Sequence, residues 1–264
     1  MTHLAAAILL PYLLAGAAAA AETEKYPIWW SPSLELESLD KIDERRRKRF
    51  WPEEYEGMDV FKDGDSKAKS AVVENCVSLD RLLNEGFYPL YSRGSQIAMS
   101  LGATCATFDM LKGAKAAEVS FVRDFVMTEE ALDYLPAMVN ISPGRDWLCR
   151  QYRANERRIP LSRFEAERNV QLKVLNDFKI EGRIEWWFYD VEILARADFN
   201  RDGLEDLLVI ASADATEGTW GATTIFLLNR DTPDGVFWVV DAEEELCTNY
   251  RPCDAHYDEP AALR

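Results

Sequence analysis

The feature that most constrains how this chain folds is a nine-residue polar turn set between two apolar runs. Asp198-Phe199-Asn200-Arg201-Asp202-Gly203-Leu204-Glu205-Asp206 places oxygen-bearing side chains at positions 1, 3, 5 and 9 and a glycine at position 6. Before it stands Val191-Glu192-Ile193-Leu194-Ala195, and after it Leu207-Leu208-Val209-Ile210-Ala211. Both flanks are β-branched and apolar, which is strand composition. Gly203 supplies the sharp turn, because without a Cβ it reaches positive φ at no steric cost. The unit therefore reads strand–turn–strand.

The oxygens in that turn have a chemistry of their own. Calcium takes six to eight oxygen ligands from carboxylates, amides, backbone carbonyls and water. Asp198, Asn200 and Asp202 are the alternate side chains that would point inward, the carbonyl of Leu204 would follow, and Asp206 would close the shell. Three carboxylates about 5 Å apart repel by roughly 3 kcal/mol per pair at an effective dielectric near 20, and a divalent cation turns that repulsion into attraction. The competing reading is a polar turn with solvated carboxylates, since Asp, Asn and Gly are ordinary turn residues. An EF-hand is excluded: that loop needs a bidentate Glu at position 12 and flanking helices, and position 12 here is Val209. The stretch from Ala195 through Val209 resembles the calcium loops of FG-GAP and VCBS repeats, found in integrin-like propellers and many secreted bacterial proteins. The chain also resembles the C-terminal part of uncharacterised bacterial envelope proteins that carry one such loop after a helical region. The resemblance implies Ca2+ as the bound ion, in a structural role. Only one such motif occurs, so a multi-blade propeller is excluded on repeat count.

The N-terminus points to export. Leu4 to Ala21 is apolar and alanine-rich, and small residues precede the polar switch at Glu22, as at a signal-peptidase site. The n-region lacks Lys and Arg, and Ala17 stands where a lipoprotein would carry Cys. Residues 1–21 are read as a signal peptide and the protein as periplasmic or secreted, with no transmembrane segment after cleavage. The chain of 264 residues has net charge −16, with 46 acidic against 30 basic residues. Such a surface repels nucleic acid and anionic membranes. The basic run Arg45-Arg46-Arg47-Lys48-Arg49 follows Asp40, Asp43 and Glu44 and reads as a solvated helical face with local ion pairs.

An exported chain should pair its cysteines. The five are Cys76, Cys105, Cys149, Cys247 and Cys253. Cys247 and Cys253 enclose a short loop that a disulfide would staple. Cys76 and Cys105 lie on apolar faces of successive helical patterns and would meet if those helices form a hairpin, leaving Cys149 odd. Fifteen arrangements of two bridges exist, and buried thiols are an alternative for some of the five. No C-x-x-C occurs, so a thioredoxin-type site or zinc ribbon has no support.

Two halves differ in period. Residues 22–145 read as a helical region. Leu39, Ile42 and Phe50 suggest a first helix; residues 66–85 place Val72, Val73, Cys76, Leu79 and Leu83 on one stripe before Gly86; residues 95–112 place Ile97, Leu101, Cys105, Phe108 and Leu111 on another before Gly113. Thr128 would cap a short helix containing Leu132 and Leu135. Ile141 to Arg145 reads as a boundary loop. Residues 146–264 alternate with period two at Val170, Leu172, Val174 and at Ile184, Trp186, Phe188, then continue through strands at 207–211, 223–228 and 236–240. The expected fold class is α+β: a helical N-terminal half packed with a small C-terminal antiparallel β-sheet, a meander carrying the single calcium loop.

Little else suggests chemistry. The two histidines are His3, inside the signal segment, and His256, which argues against a Ser-His-Asp hydrolase, a zinc enzyme or a haem protein. No glycine-rich phosphate loop is present. The loop from Asp214 to Gly221, with Asp214, Glu217 and Trp220, is the best candidate binding loop, placed near the calcium loop; the competing reading folds Trp220 back onto the sheet. Trp186 and Trp187 point to opposite faces of a strand, with core packing as the default. The expectation is an exported calcium-binding structural or interaction module, not an enzyme, with a protein partner in the cell envelope. The alternatives are a secreted hydrolase using carboxylates such as Asp190, Asp214 and Glu217, or a proteinaceous inhibitor or immunity-like partner.

Overall fold

A computed structural model describes residues 26–240 apart from 53, 91, 142–144, 167–169, 185 and 186. The proposed signal segment, Cys247, Cys253, His256 and Trp186 lie outside the described residues.

The elements follow in order: β1 (Trp29–Trp30), α1 (Ile42–Arg47), β2 (Met58–Lys62), β3 (Ser70–Val73), α2 (Cys76–Asn84), β4 (Phe87–Tyr88), α3 (Ser92–Gly113), α4 (Arg145–Glu156), α5 (Leu161–Phe164), β5 (Val170–Asn176), β6 (Lys179–Ile184), β7 (Trp187–Ala197), β8 (Asp206–Ala215), β9 (Gly221–Asn229) and β10 (Trp238–Val239). Short 3-10 turns fill several of the links. The larger sheet has seven strands in the order β10-β9-β8-β7-β6-β5, each antiparallel to its neighbour, and β1 pairs with β7 at Arg196 and Ala195, beyond the end of β6. The smaller sheet has the order β3-β2-β4.

Both faces of the large sheet are covered. On one face Ile180, Val191, Ile193, Leu207, Val209 and Leu228 pack beneath the 122–139 segment, Leu161 and Phe237. On the other Leu194, Ala195 and Leu208 join Cys105, Phe108 and Leu111 of α3, Leu79 and Leu82 of α2, and Val60 and Val73 of the small sheet. Both clusters draw residues from before and after position 145. Burial on both faces explains why β7 and β8 lose strict alternation near the turn. A bulge between Ile193 and Ala195 helps: Leu194 is the extra residue, it enters the second cluster, and its carbonyl accepts the Ser31 amide at 2.7 Å.

The structure overturns the expected fold class. The protein is mixed throughout, with four strands and a three-stranded sheet inside the region read as a helical N-terminal half. The clearest case is the stripe read over 66–85. Ser70–Val73 is strand β3, with Val72 opposite Asp59 and Val73 opposite Met58. The helix starts only at Cys76, where Asn75 caps it: its side chain accepts the Ser78 amide and the Ser78 hydroxyl accepts the Asn75 amide in return. β-branched Val72 and Val73 prefer the pleated ladder, and starting at 76 moves the buried stripe to Cys76, Leu79 and Leu82, leaving Leu83 exposed. Likewise Glu129–Asp133 is a 3-10 turn, although Thr128 does cap it through the Glu130 amide.

Cys76 and Cys105 form a disulfide between α2 and α3, with Cα atoms 5.4 Å apart, and Cys149 is buried in α4. The basic run finds its counter-charges on other elements. Arg46 pairs with Asp80 and Asp109, Arg45 with Glu35, and Arg49 with Glu74. Among the described residues no helix is long and apolar enough to cross a membrane.

Candidate metal centre

The nine-residue turn connects β7 to β8, two inner strands of the large sheet. Its backbone is turned by two positive φ angles near the tip, Arg201 at 68° and Gly203 at 87°. Asp198 and Asp206 stand at the base and are buried, whereas Asn200 and Asp202 at the tip are exposed.

Each acidic side chain accepts amides. Asp198 accepts from Asp202 and Gly203, both at 3.1 Å. Asp202 accepts from Leu204 at 2.7 Å and also receives the Asn200 amide group at 2.9 Å. Asp206 accepts the Phe199 amide at 3.0 Å and the Asn229 side chain at 2.6 Å. The turn thus closes on its own backbone, and Asn229 of β9 ties it to the sheet.

Asp206 is the most strained of these groups electrostatically. It is fully buried, and among the described residues no Lys or Arg pairs with it. Burial disfavours the carboxylate and, with the charges of Asp202 and Asp198 adding, pushes its pKa up to about 7 against the opposing Phe199 and Asn200 amides.

A hard divalent cation asks for oxygen donors with free lone pairs. The donor set here is all oxygen, and among the described residues nothing donates to the Leu204 carbonyl, so its lone pairs are available. In chemistry and chain path the set fits. The side chains do not converge: among the described residues no three of Asp, Glu, His and Cys gather as metal ligands. Binding therefore requires side chains to turn from amides toward an ion, and exposed Asn200 and Asp202 have room to do so.

Sequence reasoning missed the parts that hold the turn from outside. The segment after α3 straps it: Lys115 and Asp198 exchange backbone bonds at 3.1 and 2.9 Å, the Gly203 carbonyl accepts the Glu118 and Val119 amides, and the Glu205 amide reaches the Val119 carbonyl. Glu205, a spacer in the motif, is buried; the Ser120 hydroxyl bonds one of its oxygens and Arg123 stands 3.7 Å from the other. Arg196 donates to the carbonyls of Arg123 and Phe125 and lies 4.9 Å from the Trp29 ring. Only the charge of Arg196, set between Ala195 and Ala197, hinted at this layer.

The candidate binding loop proves to be elsewhere. It joins β8 to β9, and the ten residues of β8 separate it from the metal turn by roughly 30 Å at strand rise. Asp214 and Glu217 are placed away from the turn's oxygens, with Asp214 exposed at the far end of β8. Trp220 is folded back, its ring edge-on to Trp187 with centroids 4.7 Å apart. Gln96 of α3 donates to the Thr219 carbonyl at 2.9 Å and fixes the loop to the helix. Asp190, the third acid weighed for hydrolysis, is paired to Lys179 at 3.1 Å.

No family model matches the chain, and neither a curated protein nor a solved structure shows significant similarity to it.

Proposed function

We propose that the chain is an exported calcium-binding module in which Ca2+ pins the β7–β8 turn and the protein acts by structure or interaction rather than catalysis. The observation that carries this reading is Asp206: a fully buried carboxylate that closes a D-x-N-x-D-G-x-x-D turn, held by two donors but by no positive group among the described residues. Such a charge is costly in isolation and favourable beside a cation. Asp198, Asn200, Asp202, the Leu204 carbonyl and Asp206 would hold the ion. When bound, it supplies the positive charge that the turn lacks, and because β7 and β8 are central strands, it stiffens the middle of the sheet.

Export draws support from the Cys76–Cys105 disulfide, since such bonds persist in oxidising compartments. A periplasmic or secreted location, with a protein partner in the cell envelope, belongs to the same proposal. The test is thermal melting of the mature protein with Ca2+, Mg2+ or chelator. At about 100 times its Kd an ion stabilises by roughly 2.7 kcal/mol, which at this size means several degrees. Equal melting in all three conditions, unchanged by Asp202→Ala, would overturn the proposal.

A further inference from the structure

Beneath the 120–128 segment lies a cavity of about 400 Å³ that the metal turn does not use. Its volume is within the range of small-molecule sites. Its walls include Phe121, Phe125, Val126 and Tyr134, and two arginines, Arg123 and Arg230, line it.

Arg230 is unusual. It is only 6 % exposed, yet it carries a guanidinium. Its Nε donates to the Phe121 carbonyl at 2.6 Å, and the group lies 4.8 Å from the Phe237 ring centroid and 5.6 Å from that of Phe125. Those contacts fix the plane of the fork. Among the described residues no carboxylate lies within salt-bridge distance of it, and its terminal nitrogens find no acceptor. Asp234 acts on it only at longer range. Those terminal nitrogens are not among the buried polar atoms left without a partner, so they keep contact with solvent and are open to an anion. Its two terminal nitrogens, each an NH2, are the pair that takes a carboxylate bidentately.

The rest of the cavity narrows the class of anion. Asp124 and Asp234 line the cavity along with Arg123 and Arg230, so the formal charge of the lining sums to zero. A dianion such as phosphate meets two carboxylates there, whereas a monoanion needs only Arg230. The aromatic walls favour an apolar body behind the charged head. We infer that this cavity binds a small monocarboxylate with an apolar or aromatic body, its carboxylate seated on the terminal nitrogens of Arg230 and its body against Phe121, Phe125 and Tyr134. The site is independent of the calcium reading, because none of the proposed ion ligands lines it.

The test is titration calorimetry of the mature protein with benzoate, benzamide and inorganic phosphate as probes. Saturable benzoate binding is expected, with benzamide and phosphate at least about tenfold weaker, since removing the charge-assisted pair forfeits its bidentate contact. Arg230→Gln should weaken benzoate by a similar factor. Because Arg230 is packed between rings and its variant can fail to fold, Val126→Trp serves as a second variant: Val126 is an exposed wall residue, and the indole should fill the cavity and abolish binding while leaving Arg230 in place. Absence of saturable benzoate binding overturns the inference. So does benzoate binding unaffected by Val126→Trp, or phosphate binding as tight as benzoate.

Discussion

Asp206→Asn offers the sharpest examination of the metal centre, because it removes the charge and keeps the shape. In the metal-free protein the folded-state pKa is about 7, against 3.8 for an unperturbed carboxyl. Between those values the folded chain holds a proton that the unfolded chain has released, so unfolding is favoured as pH rises. The stability that comes from protonated Asp206 is complete below the unfolded value and is lost as pH climbs through the folded one. A displacement of that size corresponds to at most about 4 kcal/mol, and the span from about pH 5 to about pH 8 contains some 2–3 kcal/mol of it. For a chain of this size that is about 5–10 °C in Tm. Asn at 206 does not titrate, so this pH dependence vanishes. The substitution has a fixed cost, since Asp206 accepts two hydrogen bonds and an amide can accept only one of them. Asn229 can soften it by rotating its own amide, whose oxygen has no partner in the structure. A fixed cost cancels when slopes against pH are compared.

The assay is melting of wild type and Asp206→Asn across that pH span, in chelator and in Ca2+. In chelator the wild type should lose more stability toward high pH than the variant. In Ca2+ the wild-type slope should flatten, because an ion at the turn holds Asp206 ionised, and the variant should gain little from the ion. Identical slopes for the two proteins in chelator would show that Asp206 does not carry the strain assigned to it. A wild-type slope indifferent to Ca2+ would show that the turn does not hold the ion.

Other perturbations read other parts of the argument. The Cys76–Cys105 bridge closes a 29-residue separation, which in the chain-entropy treatment is worth about 3–4 kcal/mol; the Cys76→Ala/Cys105→Ala protein should lose about that much in urea melts, and a loss under about 1 kcal/mol would refute it. Gly182→Ala places a methyl group against the Tyr189 ring with no room for it, so overpacking should cost at least about 1–3 kcal/mol by the same measurement, and a neutral result would mean the ring moves freely. Gly203→Ala brings the new methyl only into ordinary contact with a Glu118 oxygen at 3.8 Å but forces a positive φ on it; it should cost about 1 kcal/mol and weaken Ca2+ severalfold in calorimetry, with unchanged affinity counting against the turn as the binding element. Asn75→Ala removes the reciprocal cap of α2 and should cost about 1 kcal/mol in urea melts, an unchanged midpoint showing the cap to be idle.

What was legible follows from the range over which each signal acts. The runs at 207–211 and 223–228 lie in strands β8 and β9, because a short apolar, β-branched run signals a strand within a few residues. The turn between β7 and β8 was legible for the same reason: its spacing is local and Gly203 announces its positive φ. The stripe at 66–85 misled because Val72 and Val73 fit a helical period by position while their branching favours a ladder; only Met58 and Asp59, a dozen or more residues earlier, supply the partner strand that decides it. Position relative to the metal turn failed similarly for Trp220, since closeness in sequence across a ten-residue strand means opposite ends of the sheet. The outer support of the turn is the extreme case. Nothing in Lys115-Ala116-Ala117-Glu118-Val119-Ser120 reads as a strap, because its role is to offer backbone groups, and backbone groups carry no sequence. Of the buried charges only Arg196 leaves a trace, set between Ala195 and Ala197; Glu205 and Arg230 stand beside polar residues in sequence. Charged residues are almost never fully buried without a partner. For Glu205 the structure supplies Ser120 and Arg123, and for Arg196 two carbonyls and a ring. Asp206 and Arg230 are left short of a counter-charge, one negative and one positive, and it is at those two that a cation and an anion from solution are proposed to complete the structure.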